Sequence, residues 1–407
     1  MRRSIFFFFV VLGGLMHAQK NIAQPLQFSS DLERFESLTP LKEVLKDVDI
    51  VALGENTHGL GKVFQTKVEL VKFLHAELGF DLVLFESGYG DAALAWANWE
   101  NMSTEEFTQN FSSNFYYRSK EIMDLVNYAK SRNGKLKLQG FDCQPQQQYL
   151  IKRMQEVIAP IDPDFATTVP QAMVDFNRLY QHEKNGDSLT FYAQRDSFAS
   201  FLKKYDQLLD GISGTGKGNQ PSQKEIEIIQ QSNRIFLDTY GSMPFGKLML
   251  WPQAANHRDA AMLKIVEKYK ETHPGAKIII WAQNSHIENH GKPHNPVIWM
   301  GHGLKKKYGA SYYSIGTVVY SGTNQNYNGS FSFEHKDPEY LAYHLNKVGN
   351  SNFILDLRDY PKTDFTAKLH LGMENNGSKA YFIAQDRFDG ILFLSHSGPP
   401  HALNENN

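Results

Sequence analysis

Short apolar, β-branched runs alternate with stretches of helical periodicity, and this alternation constrains the fold of the 407-residue chain more than any other feature. The runs are Asp49–Leu53 (DIVAL), Phe80–Phe85 (FDLVLF), Leu136–Phe141 (LKLQGF) and Ala276–Ala282 (AKIIIWA), then Ser311–Val319, Asn352–Leu355, Ala380–Ile383 and Gly390–Leu394. Several are apolar on both faces, which suits central strands covered on both sides. Between the first two, Lys62–Leu78 places Val63, Leu70, Phe73, Leu74 and Leu78 largely on one face and ends at Gly79, a good C-cap. Strand, helix, strand in that order predicts an α/β fold with a mostly parallel central sheet flanked by crossover helices.

The middle of the chain breaks the alternation. From about Tyr149 to Thr239 the pattern is helical, rich in Gln, Lys, Asp and Glu, with no convincing strand. Residues 149–239 are therefore expected to form a helical insertion subdomain over an α/β core built from 19–148 and 240–396. A Gly/Ser-rich break at Gly211–Gln220 reads as a loop between helices, and 397–407 as a flexible tail. The N-terminus reads as an address: Arg2 and Arg3, the apolar run Ile5–Met16, then His17-Ala18-Gln19. That pattern predicts a signal peptide over 1–18 cleaved after Ala18, and hence a periplasmic or secreted protein. The apolar run is too short to cross a bilayer of about 30 Å. No membrane span is expected after cleavage, and no cysteine near the cleavage point could carry a lipid anchor.

Composition narrows the partners. With 42 basic and 44 acidic residues the net charge is −2, so no general attraction to nucleic acid or an anionic surface is expected. The lone cysteine, Cys143, excludes an intramolecular disulfide and a Cys-based zinc site. It reads as a core or supporting residue rather than a nucleophile. There is no Gly-x-Ser-x-Gly elbow, Walker loop or Gly-x-Gly-x-x-Gly. The run Lys305-Lys306-Lys307 reads as a solvated helix face, and His286, His290 and His294 are interrupted by Gly291 and Pro293, so they do not form a helical metal box.

Chemistry-bearing residues gather where strands end. Leu53-Gly54-Glu55-Asn56-Thr57-His58-Gly59 follows one strand, Glu86-Ser87-Gly88 a second, and Gln283-Asn284-Ser285-His286 a third. In open α/β sheets ligands bind beyond the carboxyl ends of the strands. If these strands are neighbours, Glu55, His58, Glu86 and His286 face one crevice. A carboxylate directly after an apolar strand needs a partner, and His58 is a natural one for Glu86. A neutral His58 oriented by a carboxylate can take a proton from water, and His286 can steady an oxyanion or protonate a leaving group. The same four side chains could instead hold a divalent metal, so that cofactor stays open. Trp96, Trp99, Phe111, Phe115, Tyr116 and Tyr117 could wall an apolar pocket or simply pack helices.

The order of these motifs resembles the erythromycin esterase family over nearly all of the chain beyond residue 18. Gly54-Glu55-Asn56-Thr57-His58-Gly59, Gly79-Phe80 leading to Phe85-Glu86, and Gly140-Phe141-Asp142 are similar to its first three motifs. Asn256-His257-Arg258-Asp259 with Met262, Trp281-Ala282-Gln283-Asn284-Ser285-His286 and Met300-Gly301-His302-Gly303-Leu304 continue the series. The resemblance implies hydrolysis of the lactone ester of 14-membered macrolides, and so macrolide resistance, with His58 as general base supported by Glu55 and Glu86. Lys67, Gln283, Asn284 and Arg258 are then expected to face a small-molecule ester or lactone. Family members also act elsewhere, in exopolysaccharide synthesis for instance, so another lactone, a glycan acyl ester, or a non-catalytic metal- or ligand-binding role is retained. Two positions depart from the family pattern. Gln283 replaces a histidine, and glutamine donates a hydrogen bond but carries no proton. Lys67 stands where the family carries an arginine, keeping the charge but losing the bidentate fork.

Overall fold

A computed structural model of the chain describes residues 23–25, 35–212, 214, 221–290, 296–327, 329–348 and 352–403. The expected signal peptide, most of the 211–220 break, His294 and the last four residues lie outside the described residues.

The strands are β1 (Ala23–Pro25), β2 (Ile50–Leu53), β3 (Leu82–Gly88), β4 (Lys137–Asp142), β5 (Ile278–Trp281), β6 (Tyr312–Asn326), β7 (Gly329–Glu334), β8 (Asn352–Asp356), β9 (Leu369–Met373), β10 (Lys379–Ile383) and β11 (Gly390–Ser397). Nine of them form one sheet in the order β1-β8-β11-β6-β2-β5-β3-β4, with β7 beside β6; β9 and β10 pair apart. Pairings from β11 to β4 are parallel, while β7, β8 and β1 join antiparallel. The mostly parallel sheet is thus as expected, and every apolar run named above became a strand. The additional strands β1, β7 and β9 lacked that signal: every residue of β7 (GSFSFE) is exposed or half-buried, so no apolar run marks it.

The helices are α1 (Leu41–Leu45), α2 (Gly61–Leu78), α3 (Tyr89–Ala97), α4 (Thr104–Phe111), α5 (Lys120–Ser131), α6 (Gln148–Ile158), α7 (Pro163–Lys184), α8 (Ser188–Leu209), α9 (Gln223–Tyr240), α10 (Gln253–Thr272), α11 (Asn284–Ile287), α12 (Met300–Tyr308), α13 (Leu341–Leu345) and α14 (Ala384–Arg387). Helix α2 ends at Gly79 as its pattern predicts. Helices α6 to α9 follow one another between β4 and α10 with no strand among them, in the span expected to be an insertion. The starts of α7, α8 and α9 are capped in the usual chemistry: Asp162, Asp187 and Ser222 each accept the N–H three residues on, and Ser222 forms a capping box with Glu225. The apolar faces of α6 and α9 close on α3, so Phe176, Leu202 and Ile229 share one buried cluster with Ile50, Phe85 and Ile279 of the sheet.

Beyond β11 the chain is tied down as far as Leu403. Gly398 accepts the Gly61 N–H at 2.8 Å and His401 the Lys120 N–H at 2.8 Å, so the segment expected to fray is held against α2 and α5. Of the lysine run, Lys305 is no solvated residue: its Nζ bonds Asp389 at 2.8 Å. Among the described residues no helix is long and apolar enough to cross a membrane.

Candidate active site

Strands β2, β5, β3 and β4 lie side by side and parallel, so their C-terminal ends share one edge. Each delivers a polar residue directly after apolar, buried ones. In β3 the register against β4 slips between Phe85 and Gly88. This irregularity spans Glu86, and such bulges re-aim a side chain beside a site.

The site divides into two ion-paired sets. In the first, His58 Nδ1 donates to Glu55 Oε2 at 2.8 Å, and Lys67 Nζ of α2 donates to Glu55 Oε1 at 2.8 Å. Lys67 is fully buried, 4.2 Å over the Trp281 ring. Burial opposes ionisation of Glu55, but the Lys67 charge and the His58 hydrogen bond outweigh it and hold the carboxyl below its usual value. Burial likewise disfavours the His58 imidazolium, yet Glu55, helped by the charge of Glu86, raises its pKa above 6.5. Burial lowers the Lys67 ammonium to about 8 against the pull of Glu55. The His58 ring lies between Tyr116, stacked at 5.4 Å, and Tyr117, edge-on at 6.0 Å. From β6, the Asn324 amide donates to the His58 carbonyl and the Gln325 N–H to the Gly59 carbonyl, which clamps the loop. Among the described residues nothing bonds His58 Nε2.

In the second set Glu86 accepts from Arg258 Nη2 at 3.1 Å and from the Gln283 N–H at 2.9 Å, and its Oε1 lies 3.2 Å from His286 Nε2, which Arg258 Nη1 also approaches at 3.3 Å. Its partner is therefore not His58, as expected, but His286 and Arg258. Arg258 also grips Asp142 through two bonds, of 2.7 and 3.2 Å. His286 Nδ1 bonds Asp259 Oδ1 at 2.8 Å, which also accepts the Met300 N–H at 2.9 Å. Burial opposes the charged forms here too, but the opposed charges win. Glu86 is held well below the usual carboxylate range, and the His286 pKa is pushed up to about 10 by Asp259 and Glu86. His286 thus stands between Asp259 of α10 and Glu86 at the end of β3.

The remaining assignments separate in the same way. Asn284 does not face a substrate: its amide nitrogen donates to the Thr317 carbonyl at 2.8 Å and its oxygen accepts the Thr317 N–H at 2.9 Å, locking α11 to β6. Lys67 is sealed behind Glu55. Gln283 is different, since only its backbone is anchored and its side-chain amide has no partner among the described residues. Arg258 keeps about a quarter of its side chain exposed. Of the aromatic segment, Phe111 and Tyr117 pack on Phe85 in the core and Trp96 stacks on Trp99. Phe115 and the buried Tyr116 pack against the exposed Tyr327. Cys143 is buried with its thiol pushed up to about 12 by burial, and so is no nucleophile. Asp142 and Asp259 also belong to the site, through Arg258 and His286. Asp142 had the same sequence signal as Glu86, a carboxylate straight after a buried strand.

The donor set does not suit a divalent metal. Each glutamate already pairs with a cation, the buried Lys67 or the half-buried Arg258, and no group of three or more His, Cys, Asp or Glu among the described residues is arranged to hold an ion.

Residues 75–397 match the erythromycin esterase family. The chain belongs to that family. Its first motif, 54–59, lies upstream of the matched span. Among curated relatives of this family member, YbfO of Bacillus subtilis (strain 168), to which a hydrolase activity is ascribed, is 27% identical over 93% of this chain and 90% of its own. Erythromycin esterase type II of Escherichia coli is 22% identical over 73% of this chain and 75% of its own. Among solved structures, a succinoglycan biosynthesis protein superposes with TM-score 0.71 at 20% identity, covering 94% of this chain and 96% of that one. A mutant of the erythromycin esterase EreC in its open conformation superposes with TM-score 0.61 at 16% identity, covering 94% and 97%. These likenesses establish the erythromycin esterase fold.

Proposed function

We propose that this hydrolase-family protein cleaves the lactone ester of a macrolide with water activated by His58, and so confers macrolide resistance. The observation that carries the reading is the relay Lys67–Glu55–His58, which fixes the His58 tautomer and leaves Nε2 free. In this reading Nε2 takes a proton from water as the water oxygen attacks the ester carbonyl carbon. The free Gln283 amide donates to the developing oxyanion, and Arg258, anchored by Asp142 and Glu86, faces the substrate. Collapse breaks the carbonyl carbon–alkoxy bond, and the imidazolium returns its proton to the leaving alkoxide. The products are one carboxylic acid and one alcohol, which in a lactone stay on one molecule.

Incubation with erythromycin followed by mass spectrometry tests this. The expected result is a product heavier by one water, with turnover lowered about 10²–10⁴-fold in His58→Ala. Product formed equally fast by that variant contradicts the mechanism.

A second reading keeps the site and changes the substrate to another lactone or a glycan acyl ester. Gln283 at the family's histidine position and the likeness to a protein named for succinoglycan biosynthesis favour it. Hydrolysis across an ester panel without macrolide opening would select it. The N-terminal Arg2-Arg3 and Ile5–Met16 pattern supports export to the periplasm or medium, and N-terminal sequencing of the exported protein checks cleavage after Ala18.

A further inference from the structure

The loop of residues 243–252, between α9 and α10, has no part in the relay, yet the insertion holds it firmly. Glu183, buried at the end of α7, accepts the Leu248 N–H at 3.1 Å and the Met249 N–H at 2.8 Å through one oxygen. From α8, the Tyr192 hydroxyl accepts the Phe245 N–H at 3.2 Å, and Arg195 Nη1 donates to the Met243 carbonyl at 3.0 Å. A buried carboxylate is costly unless hydrogen-bonded, and the bonds of Glu183 go to this loop.

What the pinned loop displays is apolar. Met249, Leu250 and Trp251 are 43%, 54% and 62% exposed, and neighbouring Ile298 is 60% exposed. Trp251 packs on Trp299 with ring centroids 5.7 Å apart, and Trp299 meets His286 edge-on at 5.3 Å. The strip therefore runs ring by ring into the crevice that holds Glu86 and Arg258. Core packing does not explain a bare indole on a fixed backbone at the mouth of a site, and exposed apolar patches of this kind mark ligand surfaces.

We propose that residues 248–251 form a recognition lip on which the apolar, non-reacting part of the ester substrate lies against Trp251. The inference rests on the hydrolase reading and names the part of the substrate that reading leaves open. Trp251 is the specificity residue. Glu183 is a positioning residue, acting through the loop backbone. Contact energy gained remote from the ester carbonyl holds that carbonyl beside His58.

The test uses the full chain and p-nitrophenyl esters from acetate to decanoate. Trp251→Ala lowers the decanoate-to-acetate ratio of kcat/KM by about fivefold or more, through KM for decanoate. Glu183→Ala does the same, and Glu183→Gln, whose amide oxygen still accepts an N–H, recovers most of it. Leu189→Ala, which removes an exposed apolar side chain elsewhere on the insertion, leaves the ratio unchanged. In parallel, 2-undecanone, with a chain and a carbonyl but no bond to cleave, is titrated by tryptophan fluorescence; its Kd rises about fivefold or more in Trp251→Ala. An unchanged ratio with unchanged ketone binding overturns the lip, as does no saturable ketone binding to the wild type. Self-association or vesicle binding lost in Trp251→Ala without change in either measure also overturns it. Ketone binding through Trp251 with no ester hydrolysed upholds the lip and removes the hydrolase reading instead.

Discussion

His58 is the residue on which the proposed chemistry turns, and its environment sets a pH window. A general base works only when neutral, and Glu55 raises the His58 pKa above 6.5, so kcat/KM climbs as pH rises through a value above 6.5. Lys67, lowered to about 8, loses its proton on the alkaline side and with it the charge that keeps Glu55 oriented. The expected profile is a narrow bell with limbs above 6.5 and near 8, read from kcat/KM between pH 5 and 10. A rising limb centred below 6.5 contradicts the Glu55–His58 pairing as the active form. At this scale residue types were legible and roles were not. Glu55, His58 and Glu86 were recognisable as polar residues placed straight after buried strands. That Glu86 pairs with Arg258, 172 residues away, and with His286 rather than His58, and that Asn284 serves Thr317, 33 residues away, depends on contacts that no local pattern records.

Among the elements, the β6–β7 hairpin does something its own sequence does not announce. β6 runs on past its parallel neighbours, and Asn324 and Gln325 reach back to the 58–59 backbone. Gly59 sits at φ +85°, and a Cβ there would fall 1.9 Å from the Gln325 carbonyl oxygen. Gly59→Ala should therefore displace the hairpin and His58 together, costing about 1–3 kcal/mol of stability and most of the activity. Gly79→Ala is the control. Gly79 also has positive φ, but nothing lies within 4 Å of the added Cβ, so it should cost about 1 kcal/mol and leave turnover intact. Denaturant unfolding and a turnover assay on both variants decide it; equal activity losses would show that the hairpin clamp does not position His58. The buried parallel strands were legible because both faces are apolar. β7 was not, since a solvated edge strand carries no such run.

For the molecule as a whole, the insertion and the sheet share one apolar cluster, so they are expected to unfold together. All five tryptophans lie outside 149–239, whereas much of the helix signal comes from α6 to α9. Tryptophan fluorescence and far-UV circular dichroism should report coincident thermal transitions, and helix loss preceding the fluorescence change would make the insertion a separate unit. The helical character of α6 to α9 was visible in sequence, but their hold on the 243–252 loop was not. The sequence by itself determined the alternation of strands and helices, the family motifs and the strand ends at which polar groups gather, because periodicity and burial act over a few residues. Only the tertiary structure decided which carboxylate meets which cation, and which amide stays free for a ligand. Those outcomes depend on long-range contacts between strands that are neighbours in the sheet and distant in the chain, where each buried charge must find its partner.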